Sequence, residues 1–110
     1  REVKEGLSRF VRLRLRSSVY IAYEPLWAIR SKKSSESCSP EAAIARIAFI
    51  KEQLLHWGYD ITVKYLYGGS VTAKSSAHYL HNKDIDGLLV GAASTNSNEL
   101  KKIWHLASKL

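Results

Sequence analysis

The 110-residue sequence lacks the features that define disulfide-rich, secreted and membrane-spanning proteins. It contains one cysteine, Cys38, so it cannot form an intramolecular disulfide or a cysteine-based zinc site. No apolar run approaches the roughly 20 residues that cross a bilayer, and the first residues, Arg1 and Glu2, do not begin an apolar secretory signal. These absences predict a soluble, cytoplasmic protein that has no membrane partner.

Methionine is absent as well. Because translation begins with methionine, we expect the sequence to be part of a longer product. The composition, with 45% apolar and 25% charged residues, is that of a globular chain with a hydrophobic core. Its length corresponds to one domain or a portion of one.

Positive charge exceeds negative charge, with 17 Lys and Arg against 10 Asp and Glu. This balance attracts anions such as phosphorylated metabolites, nucleic acid or acidic membranes. Part of the excess lies in Arg9, Arg12, Arg14 and Arg16, but aromatic residues do not alternate with these arginines as they do on surfaces that bind single strands. The segment is therefore interpreted as a solvated basic face, and no nucleic-acid partner is expected.

Three apolar segments predict β-strands, each followed by a helix. The predicted strands are 19–23, 61–67 and 85–90. The first of them, Val-Tyr-Ile-Ala-Tyr, is apolar throughout, which is typical of a strand buried on both faces of a parallel sheet. The predicted helices are 40–57, 72–80 and one that begins at Ser97.

Local sequence cues support these helices. Ser39 can cap the first helix, with Pro40 at its first position, and Thr72 can cap the second. The third helix has an apolar stripe that consists of Leu100, Ile103, Trp104, Ala107 and Leu110. Alternating strands and helices predict an α/β chain of three parallel βα units over 18–110, preceded by a helix and linker over 1–17.

Functional residues of parallel α/β folds lie in the loops that follow the carboxyl ends of the strands. Glu24 follows the first strand, Gly68-Gly69-Ser70 closes the second, and Gly91-Ala92 follows the third. A carboxylate at the end of a buried strand is desolvated, which makes it a stronger base. Small residues between a strand and a helix let backbone amides approach an anion. Taken singly, each motif also fits a capping carboxylate or an ordinary glycine turn.

Taken together, the motifs resemble those of the triosephosphate isomerase family. They are residues 23–29 (Tyr-Glu-Pro-Leu-Trp-Ala-Ile), 67–71 (Tyr-Gly-Gly-Ser-Val) and 84–94 (Asp-Ile-Asp-Gly-Leu-Leu-Val-Gly-Ala-Ala-Ser), in the family's order. The resemblance covers residues 18–110 and implies the last three βα units of a (β/α)8 TIM barrel.

The resemblance also implies a function. Glu24 corresponds to the base that moves a proton between two substrate carbons through an enediol, and the backbone of Ser70, Gly91 and Ala92 corresponds to the phosphate-binding amides. The implied substrate is a small phosphorylated triose, no cofactor is expected, and the full-length enzyme is expected to be a homodimer.

Three departures from the family's pattern modify these expectations. The family's lid reads Gly-Thr-Gly-Lys-Thr, whereas residues 30–34 read Arg-Ser-Lys-Lys-Ser, with about three extra residues before Pro40. Arg30 is therefore a candidate phosphate-binding residue through its charge. Ala92 stands where the family has a glycine, and alanine fits there only if the backbone does not have a positive φ. The family's Asn-x-Lys strand and its histidine electrophile have no counterpart in this sequence. We expect the isolated chain to be inactive, and a non-catalytic remnant with a phosphate-binding face is the alternative.

Other reactive residues carry no comparable pattern. His78 and His81 stand three apart on a predicted helix, but no further ligand follows at matching spacing, so a solvated face is favoured over a metal site. Cys38 lies in a serine-rich segment with no histidine nearby and is interpreted as an unreactive thiol.

Overall fold

A computed structural model describes residues 4–5, 18–25, 39–57 and 63–109 of the chain. Its three strands are β1 (Val19–Tyr23), β2 (Val63–Gly69) and β3 (Gly87–Val90). Its α-helices are α1 (Pro40–His56), α2 (Ala73–Leu80) and α3 (Ser97–Ser108), and a short 3-10 helix (Ala92–Thr95) precedes α3. The order of strands and helices is the one that the sequence predicts. Lys4 and Glu5 are helical, and the rest of the segment 1–17 lies outside the described residues.

The three strands form one parallel sheet in the order β1-β2-β3. Tyr67 in β2 pairs with Tyr23 on one side and with Leu88 on the other. All three strands therefore run in the same direction, and their carboxyl ends meet at one edge of the sheet. Parallel strands need long crossovers, and α1 and α2 lie in the two crossovers here.

One face of the sheet packs against the helices. Tyr67 is fully buried there and stacks on Tyr79 of α2, with ring centroids 4.1 Å apart and planes at 17°. Alternate residues of β1 and β2, such as Ile21 and its partner Tyr65, point to the same side. The buried core consists of Ala43, Ile47, Ile50, Leu54, Tyr65, Tyr67, Val71, Tyr79, Ile85 and Ile103.

The opposite face of the sheet is open in the described part of the chain. Tyr20 is 68% exposed and Leu89 is 45% exposed, and Ala22 is exposed as well. The prediction that the first strand is buried on both faces is therefore wrong. The helices described cover only one side of the sheet, and three strands do not enclose the interior that a closed barrel provides for the other side.

Helix starts agree with the local cues in the sequence. Pro40 is the first residue of α1, and the Ser39 hydroxyl oxygen accepts a hydrogen bond of 3.1 Å from the backbone N–H of Ala42. Thr72 caps α2 in a capping box with Ser75. None of the helices in these described ranges is long and apolar enough to cross a membrane.

Two strand boundaries differ from the prediction. Gly68 and Gly69 are the last residues of β2 instead of the turn that closes it. Strand β3 begins at Gly87. The preceding Asp86 bonds to Tyr65 of β2 through both side chain and backbone: its Oδ2 accepts a bond of 2.8 Å from the Tyr65 N–H, and its own N–H donates to the Tyr65 carbonyl at 2.7 Å.

The predicted apolar stripe of α3 is only partly buried. Ile103 is 4% exposed, but Trp104 is 72% exposed and Leu100 is 37% exposed. Helix α3 packs against α2 and the 3-10 helix, and the Trp104 side of it is exposed in the described part of the chain. Ala107 is exposed, and Leu110 lies outside the described residues.

Candidate active site

A pocket of about 430 Å³ opens at the carboxyl edge of the sheet. Three segments line it, namely Glu24 after β1, residues 69–72 after β2, and residues 89–92 at the end of β3. Every loop that follows a strand in the described part of the chain therefore contributes to one concave surface. This is the edge at which parallel α/β folds bind ligands.

Four of the five candidate site residues border this pocket. They are Glu24, Ser70, Gly91 and Ala92, which come from three separate βα units. The fifth, Arg30, lies outside the described residues. The arrangement places one carboxylate beside two loops of small residues.

Glu24 extends from the end of β1 across the neighbouring strand. A Cβ atom built on Gly68 would lie 2.7 Å from Cγ and 2.9 Å from Oε1 of Glu24. The carboxylate therefore occupies space that any side chain at Gly68 would fill. The expectation that Glu24 is buried is wrong in the described part of the chain, because Glu24 is exposed on the open side of the sheet.

The loop after β2 is a tight turn around Ser70. The N–H of Val71 donates a hydrogen bond of 3.0 Å to the carbonyl of Gly69, which closes a three-residue turn with Ser70 at its centre. Val71 is 4% exposed and anchors the loop in the core, whereas Ser70 is exposed at the pocket. The burial of Val71 thus fixes the position of Ser70, which precedes it.

The loop after β3 leads directly into the 3-10 helix. The carbonyl of Gly91 accepts hydrogen bonds from the N–H of Ser94 at 2.9 Å and from the Ser94 hydroxyl at 2.6 Å. Ala92 is the first residue of that right-handed helix, a backbone that alanine adopts without strain. Ala92 therefore has the backbone without positive φ that its replacement of a glycine requires.

Protein acceptors already bind the amides at the start of α2. The Thr72 N–H donates to the Ser75 hydroxyl at 2.9 Å, and the Ser75 N–H donates to the Thr72 hydroxyl at 3.1 Å. The Ala73 N–H donates to Oε1 of Glu99 at 2.7 Å. Sequence reasoning missed Glu99, because the residue that it contacts lies 26 positions away.

The described residues contain no candidate metal centre. No three histidine, cysteine, aspartate or glutamate side chains in those ranges lie close enough together to hold a metal ion. His78 and His81 are both exposed at the end of α2.

Comparison with known proteins agrees with the fold and the motifs. The family model described as triosephosphate isomerase matches residues 1–107, so the match includes the first 17 residues, which the motifs alone do not reach. The triosephosphate isomerase of Shewanella denitrificans is 43% identical over 89 residues, which cover 79% of this chain and 33% of that protein. The triosephosphate isomerase of Shewanella baltica is 42% identical over the same shares.

The chain spans about a third of the length of the curated relatives it matches. Its three parallel βα units fit a partial TIM barrel, since the complete fold has eight. Given the family match along nearly all of its residues, this chain belongs to the triosephosphate isomerase family.

Proposed function

We propose that this chain forms the carboxyl-terminal part of a triosephosphate isomerase, which interconverts dihydroxyacetone phosphate and glyceraldehyde 3-phosphate. The observation that carries the proposal is the shared pocket of Glu24, Ser70, Gly91 and Ala92. It joins a carboxylate able to move a proton with two loops whose backbone can bind a phosphate.

The geometry of the pocket supports phosphate binding by its two loops and proton transfer by its carboxylate. The phosphate lies against the backbone of Ser70, Gly91 and Ala92, and the carbon chain extends toward Glu24. The Glu24 carboxylate removes a proton from one carbon, which gives an enediolate. A proton moves from the hydroxyl oxygen to the former carbonyl oxygen, and Glu24 returns its proton to the neighbouring carbon. Since the isomerisation moves a proton and rearranges electrons within one substrate, it needs no cofactor.

Arg30 is the remaining part of this proposal. In the family the lid contacts the phosphate through glycine backbone amides, and here Arg30 begins a segment without those glycines. Its guanidinium can attract the phosphate dianion by charge. In line with the family, we take the complete enzyme to be a homodimer and to be cytoplasmic.

The experiment that tests the function is a hybrid enzyme. The segment of the Shewanella denitrificans enzyme that matches this chain is replaced by residues 1–110, and conversion of glyceraldehyde 3-phosphate is measured. We expect turnover by the hybrid, none by the 110-residue chain alone, and none by the hybrid with Glu24→Ala. A hybrid with Glu52→Ala removes the same charge from an exposed position on α1 and should keep its activity. Undiminished turnover by the Glu24→Ala hybrid would exclude Glu24 as the base.

The alternative function is a non-catalytic remnant that binds phosphate. The altered segment 30–34 favours it, because the lid glycines that bring amides to the phosphate are missing. A hybrid that folds cooperatively and binds phosphate, but does not turn over substrate, would support the remnant over the enzyme.

A further inference from the structure

The carboxylate of Glu99 connects two elements beside the pocket. Its Oε1 accepts a hydrogen bond of 2.7 Å from the backbone N–H of Ala73. Ala73 is the first residue of α2 and directly follows the loop that contains Ser70, whereas Glu99 lies in the first turn of α3. One hydrogen bond therefore links the helices that begin after the two pocket loops.

The hydrogen bond from Ala73 takes the place of a capping-box bond that Glu99 would form within its own helix. In a capping box, a glutamate three residues after the cap reaches back to the N–H of the cap residue. Asn96 caps α3, and its Oδ1 accepts a bond of 3.1 Å from the Glu99 N–H, which is the first half of such a box. The second half is absent, because the Asn96 N–H donates to the Ala93 carbonyl at 3.3 Å. The Glu99 side chain is directed to Ala73 instead.

A short, hydrogen-bonded segment connects Glu99 to the other pocket loop. Asn96 follows the 3-10 helix Ala92–Thr95 without an intervening residue. Ser94 fixes the first turn of that helix by two hydrogen bonds to the Gly91 carbonyl. A change in the distance between Glu99 and Ala73 would therefore shift Gly91 relative to the loop after β2.

We propose that Glu99 is a positioning residue that sets the spacing between the Ser70 loop and the Gly91 loop, and with it the fit of the pocket to a phosphate. This inference rests on the proposed function of the pocket as a phosphate site. The bond suits that role, because a charge-assisted hydrogen bond is short and strong and a carboxylate is favourable at the amino end of a helix. Since Glu99 binds the first amide of α2, the phosphate is held by the loop backbones.

The test is hydrogen–deuterium exchange of the 110-residue chain, read by mass spectrometry in peptides that cover 69–75 and 91–99. Inorganic phosphate is titrated against chloride at equal ionic strength. Phosphate should slow exchange in both peptides of the parent chain. With Glu99→Ala, the phosphate concentration for half-maximal protection should rise about fivefold to tenfold in both peptides, since part of the contribution of a hydrogen bond to a charged group is lost from phosphate binding.

Matched variants separate the hydrogen bond from the charge. Glu99→Gln keeps an oxygen acceptor at the same reach but loses the charge assistance, so its titration should lie between those of the parent chain and Glu99→Ala. Glu52→Ala removes a negative charge from an exposed position on α1 and should also titrate like the parent. Glu99→Asp keeps the charge but is one carbon too short, so it should titrate like Glu99→Ala and decides the question if the alanine variant does not fold.

Each outcome has a defined meaning. Equal titration of the parent, Glu99→Ala and Glu99→Asp would overturn the role of Glu99 and leave the phosphate site intact. A Glu99→Gln variant as weak as Glu99→Ala would show that charge acts instead of the hydrogen bond, which also overturns the proposal. An absence of phosphate protection in the parent would refute the proposed phosphate site itself, and the role of Glu99 with it.

Discussion

The side chain of Glu24 lies so close to Gly68 that a Cβ atom there would approach its Cγ to 2.7 Å. The base proposed for the reaction therefore depends on the absence of a side chain on the neighbouring strand. The next residue, Gly69, is crowded by a different group, because a Cβ atom there would lie 2.5 Å from the Tyr67 hydroxyl oxygen. Gly68 thus leaves room for the Glu24 side chain, and Gly69 leaves room for the Tyr67 ring.

Alanine at Gly68 should affect catalysis, and alanine at Gly69 should affect stability. In Gly68→Ala the flexible Glu24 side chain can move aside, so the hybrid should lose about 100-fold in kcat with little loss of stability. In Gly69→Ala the neighbour is Tyr67, which is fully buried and stacked on Tyr79, so the free energy of unfolding should fall by about 1–3 kcal/mol. Urea unfolding and steady-state kinetics measure the two effects. Equal loss of stability in both variants would contradict this account.

Shortening the Glu24 side chain should slow the reaction without weakening binding. Glu24→Asp keeps a carboxylate but withdraws it by about one bond length, and misplacement of about 1 Å can cost about 100-fold. We therefore expect kcat of the hybrid to fall by about that factor while KM changes little. A variant that raised KM and kept kcat would make Glu24 a binding residue instead of a base.

Restoring the family's lid should improve the hybrid. Residues 30–34 are replaced by Gly-Thr-Gly-Lys-Thr, and the extra residues before Pro40 are removed. Turnover should rise, and release of methylglyoxal, the product of phosphate loss, should fall, because a closed lid excludes water from the intermediate. If the replacement instead weakens binding of a phosphate-bearing inhibitor, and less so at high salt, then Arg30 and the adjacent lysines bind the phosphate by charge.

Tyr65 should make the stability of the chain sensitive to alkaline pH. Burial raises the pKa of Tyr65 above its ordinary value of 10.0, and the neighbouring Asp86 carboxylate raises this pKa further. The unfolded chain then loses the phenol proton at a lower pH than the folded chain does. The contribution of Tyr65 to stability is therefore complete below about pH 10 and is lost as the pH rises toward the higher folded pKa.

Urea unfolding at about pH 8 and about pH 11 measures this effect. Tyr65→Phe should lose less stability between the two pH values than the parent chain does. Tyr20→Phe provides the matched control, since Tyr20 is 68% exposed and its removal should leave the alkaline loss unchanged. Identical pH dependence of the parent and Tyr65→Phe would show that Tyr65 does not contribute.

The isolated chain should associate in solution. In the described sheet, β1 and β3 are both edge strands, and one face exposes Tyr20 and Leu89. Unpaired strand edges and open apolar faces promote pairing with other copies. We expect oligomers by size-exclusion chromatography, and a shift toward monomer in the double variant Tyr20→Lys, Leu89→Lys. A compact parent monomer that melts cooperatively would contradict this prediction.

Cues that act within a few residues could be read from the sequence, and cues that act between elements could not. The hydroxyls of Ser39 and Thr72 each accept a hydrogen bond from an amide three positions away, so the starts of α1 and α2 were predictable. The exposure of Trp104 was not predictable from period alone, because burial depends on which side of α3 has a neighbour. The close approach of Glu24 to Gly68 likewise follows from the pairing register of β1 with β2.

The sheet also has an order in which it can be assembled. Pairing of β2 with β3, such as that of Leu66 with Gly87, joins residues 21 positions apart, whereas β1 pairs with β2 across all of α1 and the segments on either side of it. Each doubling of loop length adds about 0.6 kcal/mol of closure entropy, so the shorter segment is favoured to close first. We expect the two loops proposed to hold phosphate to form before β1 delivers Glu24. Free phosphate that binds these two loops would then stabilise the two-stranded sheet before β1 adds Glu24.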